Sequence, residues 1–186
     1  MIYRKSNTMN EMVNTLFDYA RLGTEKYQLV RSPVNLCTLV RDITAEHYSI
    51  FEEHHISLDV NIPDEAIVVD ADKNELRRAV TNLIVNVYRH NPDKIASRIS
   101  VSRENCTAVI AIADSGNMIP NGLDIFEPFV TENSARTIGH GTGLGLAITK
   151  RIIECHHGTL SLEYPETGMT KAFVIRFSPA AHSTVQ

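Results

Sequence analysis

Hydrophobic side chains recur at helical spacing in four stretches of the chain, which predicts four helices. They cover residues 8–22, residues 35–51, the segment after Asp72 and the segment after Leu144. Short alternating or β-branched runs between them predict strands. These strands cover residues 26–34, 56–62, 66–69, 99–103, 108–113, 160–164 and 172–177. Residues 115–142 lack periodicity and are rich in Gly, Pro, Asn, Ser and Thr, so we expect a functional loop or lid there.

The order of these elements predicts an α+β fold. We expect a two-layer sandwich in which about three helices pack on one face of a mixed sheet, preceded by an amphipathic N-terminal helix. The third helix has the clearest beginning, because Asp72 and Glu75 have the spacing of a capping box. Asn91-Pro92 should end that helix.

Composition narrows the possible partners. The formal net charge of −4 and the pI near 6.0 argue against a nucleic-acid-binding surface. No apolar run is long enough to span a bilayer, and the first residues do not resemble a signal peptide. Three scattered cysteines fit reduced thiols in a reducing compartment.

The segment from Gly139 to Leu146 holds four glycines in alternation and leads into the last predicted helix. Glycines let a backbone approach a ligand closely, and a helix N-terminus attracts phosphate. The segment therefore predicts a phosphate cradle. It lies late in the chain, and no G-x-x-x-x-G-K-[ST] motif is present, which argues against the dinucleotide-binding and P-loop folds.

Three further groups of residues are candidates for nucleotide chemistry. Asn82 and Asn86 lie one turn apart on the third helix, and an amide oxygen suits Mg²⁺, although two Asn residues also suit a solvated helix face. Asp114-Ser115-Gly116 follows an apolar strand and suits recognition of an amino group, although it is also a common turn. Residues 126–129, Phe-Glu-Pro-Phe, suit the base of a lid or ordinary core packing.

Taken in order, N-x-x-x-N on a helix, D-x-G after a strand, F-x-P-F and G-x-G-T-G-L-G-L resemble one family. The chain is similar over residues 25–178 to the ATP-binding catalytic domain of sensor histidine kinases, within the GHKL ATPase superfamily. Residues 10–22 resemble the second helix of that family's dimerisation and phosphoacceptor hairpin. The resemblance implies a partial hairpin at residues 1–23 and a catalytic domain at residues 24–186.

The resemblance also implies roles for the helix residues. Asn86 would ligate Mg²⁺, with Asn82 near the phosphates or a metal-bound water. Arg89 would contact phosphates, and His90 would lie beside the adenine or ribose.

At the other end of the nucleotide, Asp114 beside Gly116 would accept a hydrogen bond from the adenine amino group. The lid would supply the remaining ATP contacts: Arg136, Gly141, Thr142, Gly143, Leu144 and Gly145.

Two departures from the family pattern stand out. Met118 stands where the family motif D-x-G-x-G has its second glycine, and a side chain there can narrow the pocket or alter the turn into the lid. None of the eight histidines has the flanking residues of a phosphoacceptor. Of these, the adjacent pairs His54-His55 and His156-His157 are expected at the surface or in loops.

We therefore expect a piece of a larger kinase that begins inside the second hairpin helix. The implied activity is transfer of the γ-phosphoryl group of Mg-ATP to a histidine outside this chain, followed by relay to a response regulator. The implied parent is a homodimer anchored in the inner membrane, with this domain in the cytoplasm. An anti-sigma-type serine kinase of the same superfamily and a non-catalytic nucleotide-binding module remain as alternatives.

Overall fold

The computed structural model describes residues 13, 15–22, 24, 27–120, 122–130, 143–165 and 168–178. Residues 13 and 15–22 are helical and are called the N-terminal helix below. The elements that follow are β1 (Ser32–Asn35), α1 (Leu36–Glu53), β2 (Ser57–Asn61), β3 (Val68–Ala71), α2 (Lys73–Arg89), β4 (Ala96–Glu104), β5 (Thr107–Asp114), α3 (Gly145–Cys155), β6 (Thr159–Glu163) and β7 (Lys171–Phe177). No helix of this described part is long and apolar enough to cross a bilayer.

The predicted α+β sandwich is confirmed. Five strands form one mixed sheet in the order β2-β4-β5-β7-β6, in which only the β2–β4 pair is parallel, and β1 and β3 form a separate antiparallel pair. Alternate residues of the central strands, such as Ile110 and Ile175, join the helices in the main core. Their neighbours Val109 and Val174 belong to a small cluster outside that core. Period-2 alternation therefore gives the sheet one helix-covered face.

Helix α2 begins at the predicted cap, but the capping box is only half formed. The Asp72 carboxylate accepts hydrogen bonds from the backbone N–H groups of Asn74 (3.0 Å) and Glu75 (3.2 Å). The Glu75 side chain does not return to the Asp72 N–H group, because it accepts a hydrogen bond from the Tyr27 hydroxyl. Burial and this bond raise the pKa of Tyr27 well above its ordinary value.

The predicted strand at residues 26–34 is wrong for most of its length. Only Ser32–Asn35 is a strand, and residues 27–31 have no regular structure. This segment is bound to the start of α2 instead, since the Val30 N–H group donates to Asp72 Oδ2 at 2.9 Å. The N-terminal helix lies on the same side of the domain, with Leu22 buried and Asp18 bonded to Arg78 at 2.8 Å. Residues 8–12 of that predicted helix lie outside the described residues.

His156 was expected at the surface or in a loop; it lies in the turn after α3, but it is not at the surface. It is 5% exposed at the end of α3, and its Nε2 accepts a hydrogen bond from the Asp72 N–H group at 2.9 Å. The other ring nitrogen, Nδ1, lies 2.7 Å from the Ile152 carbonyl oxygen and must donate to it. The ring is therefore neutral and connects the end of α3 to the beginning of α2. Burial lowers its pKa below the ordinary value near 6.5.

This burial predicts a pH dependence of folding stability. Below about pH 6.5 the unfolded chain binds a proton at residue 156 that the folded chain does not bind, so stability falls as the pH drops. One proton gives a slope of at most about 1.4 kcal/mol per pH unit. When the free energy of unfolding is measured with urea at pH 7.5, 6.0 and 5.0, the His156→Gln variant should depend less on pH than the wild type by this amount. Equal slopes for the variant and the wild type would contradict the assignment.

Candidate functional site

Asn82 joins helix α2 to the first turn of α3. Its Nδ2 donates to the Gly145 carbonyl oxygen at 2.7 Å and to Thr149 Oγ1 at 3.2 Å. A Cβ atom at Gly145 would lie 3.2 Å from that nitrogen, so a side chain there would crowd the contact. The amide nitrogen of Asn82 thus positions the N-terminus of α3, which the sequence did not reveal.

Asn86 lies one turn further along the same face, and its surroundings differ. Its backbone carbonyl accepts from the His90 N–H group at 3.2 Å, but its side chain forms no hydrogen bond with the residues that the structure describes. The residue is partly exposed, so its amide oxygen is open to a ligand. Within the described ranges, no group of three or more His, Cys, Asp or Glu side chains is arranged to hold a metal. The neutral amide fits Mg²⁺, which takes few protein ligands.

Residues 129 and 143, on either side of the undescribed part of the predicted lid, are bonded to each other. The Phe129 N–H group donates to the Gly143 carbonyl oxygen at 2.9 Å, and Gly143 adopts a positive φ of 67°. Phe126 packs edge-on against Phe173 with 6.4 Å between ring centroids, whereas Phe129 is 62% exposed. Phe126 therefore holds the base of the predicted lid through side-chain packing, and Phe129 holds it through a backbone hydrogen bond. The predicted ATP contacts Arg136, Gly141 and Thr142 lie outside the described residues.

Helix α3 begins shortly after Gly143, the residue that is bonded to Phe129. Its N-cap residue is Leu144, whose apolar side chain cannot bond to the backbone N–H groups of the first turn. Those groups and the positive end of the helix dipole form an anion-attracting end beside Asn82. The predicted cradle residues Gly143, Leu144 and Gly145 are thus placed next to the polar face of α2.

Asp114 ends strand β5, where it is only 1% exposed. Its Oδ1 accepts hydrogen bonds from the Gly116 N–H group (2.9 Å) and from Lys171 Nζ (2.8 Å). Sequence reasoning missed Lys171, which is 5% exposed at the start of β7. One signal was available: Lys171 is a charged residue that leads directly into the apolar run Ala172–Ile175 of this strand.

Asn91 connects the end of α2 to this ion pair. Its Nδ2 donates to the Val87 carbonyl oxygen at 2.9 Å, and its Oδ1 accepts from Lys171 Nζ at 2.9 Å and from the Asn117 N–H group at 3.0 Å. A Cβ atom at Gly116 would lie 2.0 Å from Asn91 Oδ1. Glycine is therefore required at position 116 by this packing.

The other residues that the sequence singled out near the nucleotide lie exposed at the surface of the domain. Arg89 and His90 are exposed at the C-terminal end of α2. Met118, the departure from D-x-G-x-G, is 67% exposed, so its side chain fills no interior space.

Comparisons with known proteins agree with this fold. The family model for histidine kinase-, DNA gyrase B- and HSP90-like ATPases matches residues 71–181. The sensor histidine kinase TmoS of Ectopseudomonas mendocina is 36% identical over 168 residues, which are 87% of this chain and 17% of TmoS. The chain thus spans about a sixth of that relative.

Two solved histidine kinase structures share the fold. Full-length ShkA in complex with AMPPNP superposes with a TM-score of 0.78 at 23% identity, covering 93% of this chain and 36% of ShkA. ThkA in complex with the response regulator TrrA gives a TM-score of 0.75 at 22% identity, covering 95% of this chain and 48% of ThkA.

The fold and the family match together define an ATP-binding domain. The chain belongs to the family of histidine kinase-, DNA gyrase B- and HSP90-like ATPases. Within that family it is the ATP-binding catalytic domain of the sensor histidine kinase type.

The packing at Gly116 predicts a specific steric effect. Gly116→Ala should lower the free energy of unfolding by about 1–3 kcal/mol, because the new methyl group overlaps the Asn91 side chain. In an Asn91→Gly background, which removes the overlapping atoms, adding Gly116→Ala should cost much less. Urea unfolding of the four proteins in this cycle measures the coupling. Additive effects would contradict the proposed overlap.

Proposed function

We propose that this domain binds Mg-ATP and donates the γ-phosphoryl group to a histidine on a dimerisation helix outside this chain. A response regulator would then receive the group. We further propose that residues 1–23 belong to the dimerisation hairpin and residues 24–186 to the catalytic domain. The parent protein would be a homodimer anchored in the cell membrane.

The observation that carries this proposal is the contact between α2 and α3. The bond from Asn82 to the Gly145 carbonyl oxygen (2.7 Å) holds the N-terminus of α3 beside the helix face that bears Asn86. Phosphate-attracting N–H groups and an uncommitted amide oxygen are thereby brought together. This combination suits phosphoryl transfer, because catalysis of that reaction is mostly positioning and charge stabilisation.

Each end of the site would hold one part of the nucleotide. The first turn of α3 would donate hydrogen bonds to the phosphates, and Asn86 would hold Mg²⁺. When bound, Mg²⁺ neutralises charge on the β- and γ-phosphates. Asp114 would bind the base: within the described structure the hydrogen bonds of its carboxylate all reach Oδ1, which leaves Oδ2 to accept from an exocyclic amino group.

The N-terminal helix supports an acceptor outside this chain. Val13, Leu16 and Phe17 are 45%, 46% and 71% exposed, which gives the helix an uncovered apolar surface suited to another helix. Its opposite side contacts the catalytic domain through Leu22 and the Asp18–Arg78 ion pair. A serine kinase of the anti-sigma type has no need of such a helix, which favours the histidine kinase.

The direct test is phosphotransfer to an added acceptor. The chain, mixed with a separate phosphoacceptor helix hairpin and γ-labelled ATP, should produce acid-labile, base-stable label on the hairpin. Labelling of an added serine-containing anti-sigma antagonist, with none on the hairpin, would support the serine kinase instead. Absence of label on either protein would contradict the proposed kinase activity.

A matched pair of variants tests the site assignment in the same assay. Asn86→Ala should slow Mg-dependent transfer by at least about tenfold, the range seen when support of a metal site is lost. Asn74→Ala on the same helix is the control, because Asn74 is exposed in the first turn. Equal rates for the two variants would argue against Asn86 as the metal ligand.

A further inference from the structure

The ion pair between Lys171 and Asp114 lies at the end of the proposed base site. The two residues are directly opposite each other in the antiparallel β5–β7 pair. Their side chains are 6% and 1% exposed, and Lys171 Nζ lies 2.8 Å from Asp114 Oδ1. Burying two charges is costly, and a well-packed apolar pair is often at least as stable. Stability alone therefore gives a weak reason for a lysine at this position.

The ammonium group of Lys171 is fully used by the protein. It donates to Asp114 Oδ1 (2.8 Å), Asn91 Oδ1 (2.9 Å) and the Asn117 carbonyl oxygen (2.6 Å). An ammonium has three N–H donors, so none is left for a ligand. Lys171 therefore has no hydrogen bond to offer a nucleotide, and its contacts point to an effect through the groups that it holds.

Of these groups, the Asp114 carboxylate is the one that is proposed to bind the base. Lys171 and the Gly116 N–H group both bind Oδ1, which defines the rotation of the carboxylate about its own axis. Within the described residues Oδ2 has no such bond, so it is the oxygen that remains for a ligand. Lys171 also balances the negative charge of a group that is almost completely buried.

The backbone around Asp114 is held without Lys171. The Thr170 N–H group donates to the Asp114 carbonyl oxygen at 2.8 Å, and Thr170 Oγ1 donates to the Gly116 carbonyl oxygen at 2.8 Å. Removing the ammonium should therefore release the carboxylate while the strand end stays in place.

We propose that Lys171 is a positioning residue for base recognition: it orients Asp114 so that Oδ2 accepts from the amino group of a purine nucleotide. This inference rests on the proposed binding of ATP. It assigns selectivity for the amino group to a pair of residues, because without the ammonium the carboxylate keeps only the bond from the Gly116 N–H group.

The test compares ATP with purine riboside 5′-triphosphate, which lacks the 6-amino group, by equilibrium calorimetry. Lys171→Met should weaken ATP binding about tenfold, the value of one hydrogen bond to a charged group, and change binding of the analogue less than about twofold. Arg176→Met is the matched control, since it removes a cation of the same strand from its ion pair with Glu163. That variant should retain both affinities.

Two results would overturn the inference. Equal losses for the two nucleotides, or no loss for either, would show that Lys171 does not act through the amino group. If Lys171→Met does not fold, Lys171→Leu, which also removes all three N–H donors, serves in the same comparison with the same criteria. A wild-type chain that binds neither nucleotide would overturn the proposed function together with this inference, whereas selective failure of the variants leaves that function standing.

Discussion

A buried pair of opposite charges constrains the end of the helix–sheet interface. Asp114 is 1% and Lys171 5% exposed, and an ion in such surroundings costs several kcal/mol unless its hydrogen-bonding groups are satisfied. Satisfying them requires Asn91 at the end of α2 and the Asn117 carbonyl oxygen after β5. The bond between Asn91 and Lys171 defines where α2 ends relative to β5 and β7. Gly116 has to lack a side chain because the Asn91 side chain occupies that space.

A second polar contact determines the other end of the site. Asn82 bonds to the Gly145 carbonyl oxygen and so connects α2 to the beginning of α3, while a backbone bond joins Phe129 to Gly143 at the base of the predicted lid. Helix α2 is therefore held at both ends of its polar face, with Asn86 between them. A carboxylate at one end and uncapped helical N–H groups at the other suit a molecule with an amino-bearing base and phosphates.

Local signals in the sequence predicted much of this architecture. The Asp72 cap and the apolar spacing of α2 concern residues within a few positions of each other, so the helix was identified correctly. Contacts between distant residues were not readable: Lys171 lies 57 positions from Asp114 and 80 from Asn91. The same reason explains the errors at His156 and residues 26–34, which bind the start of α2 across the fold.

The central claim is that the polar face of α2 and the first turn of α3 form one nucleotide site. Calorimetric titration of the wild-type chain with ATP, with Mg²⁺ and again with a chelator, tests this claim most directly. We predict one ATP per chain, bound more tightly with Mg²⁺ and displaced by ADP. Absence of binding heat at millimolar ATP, at two temperatures, would contradict the account.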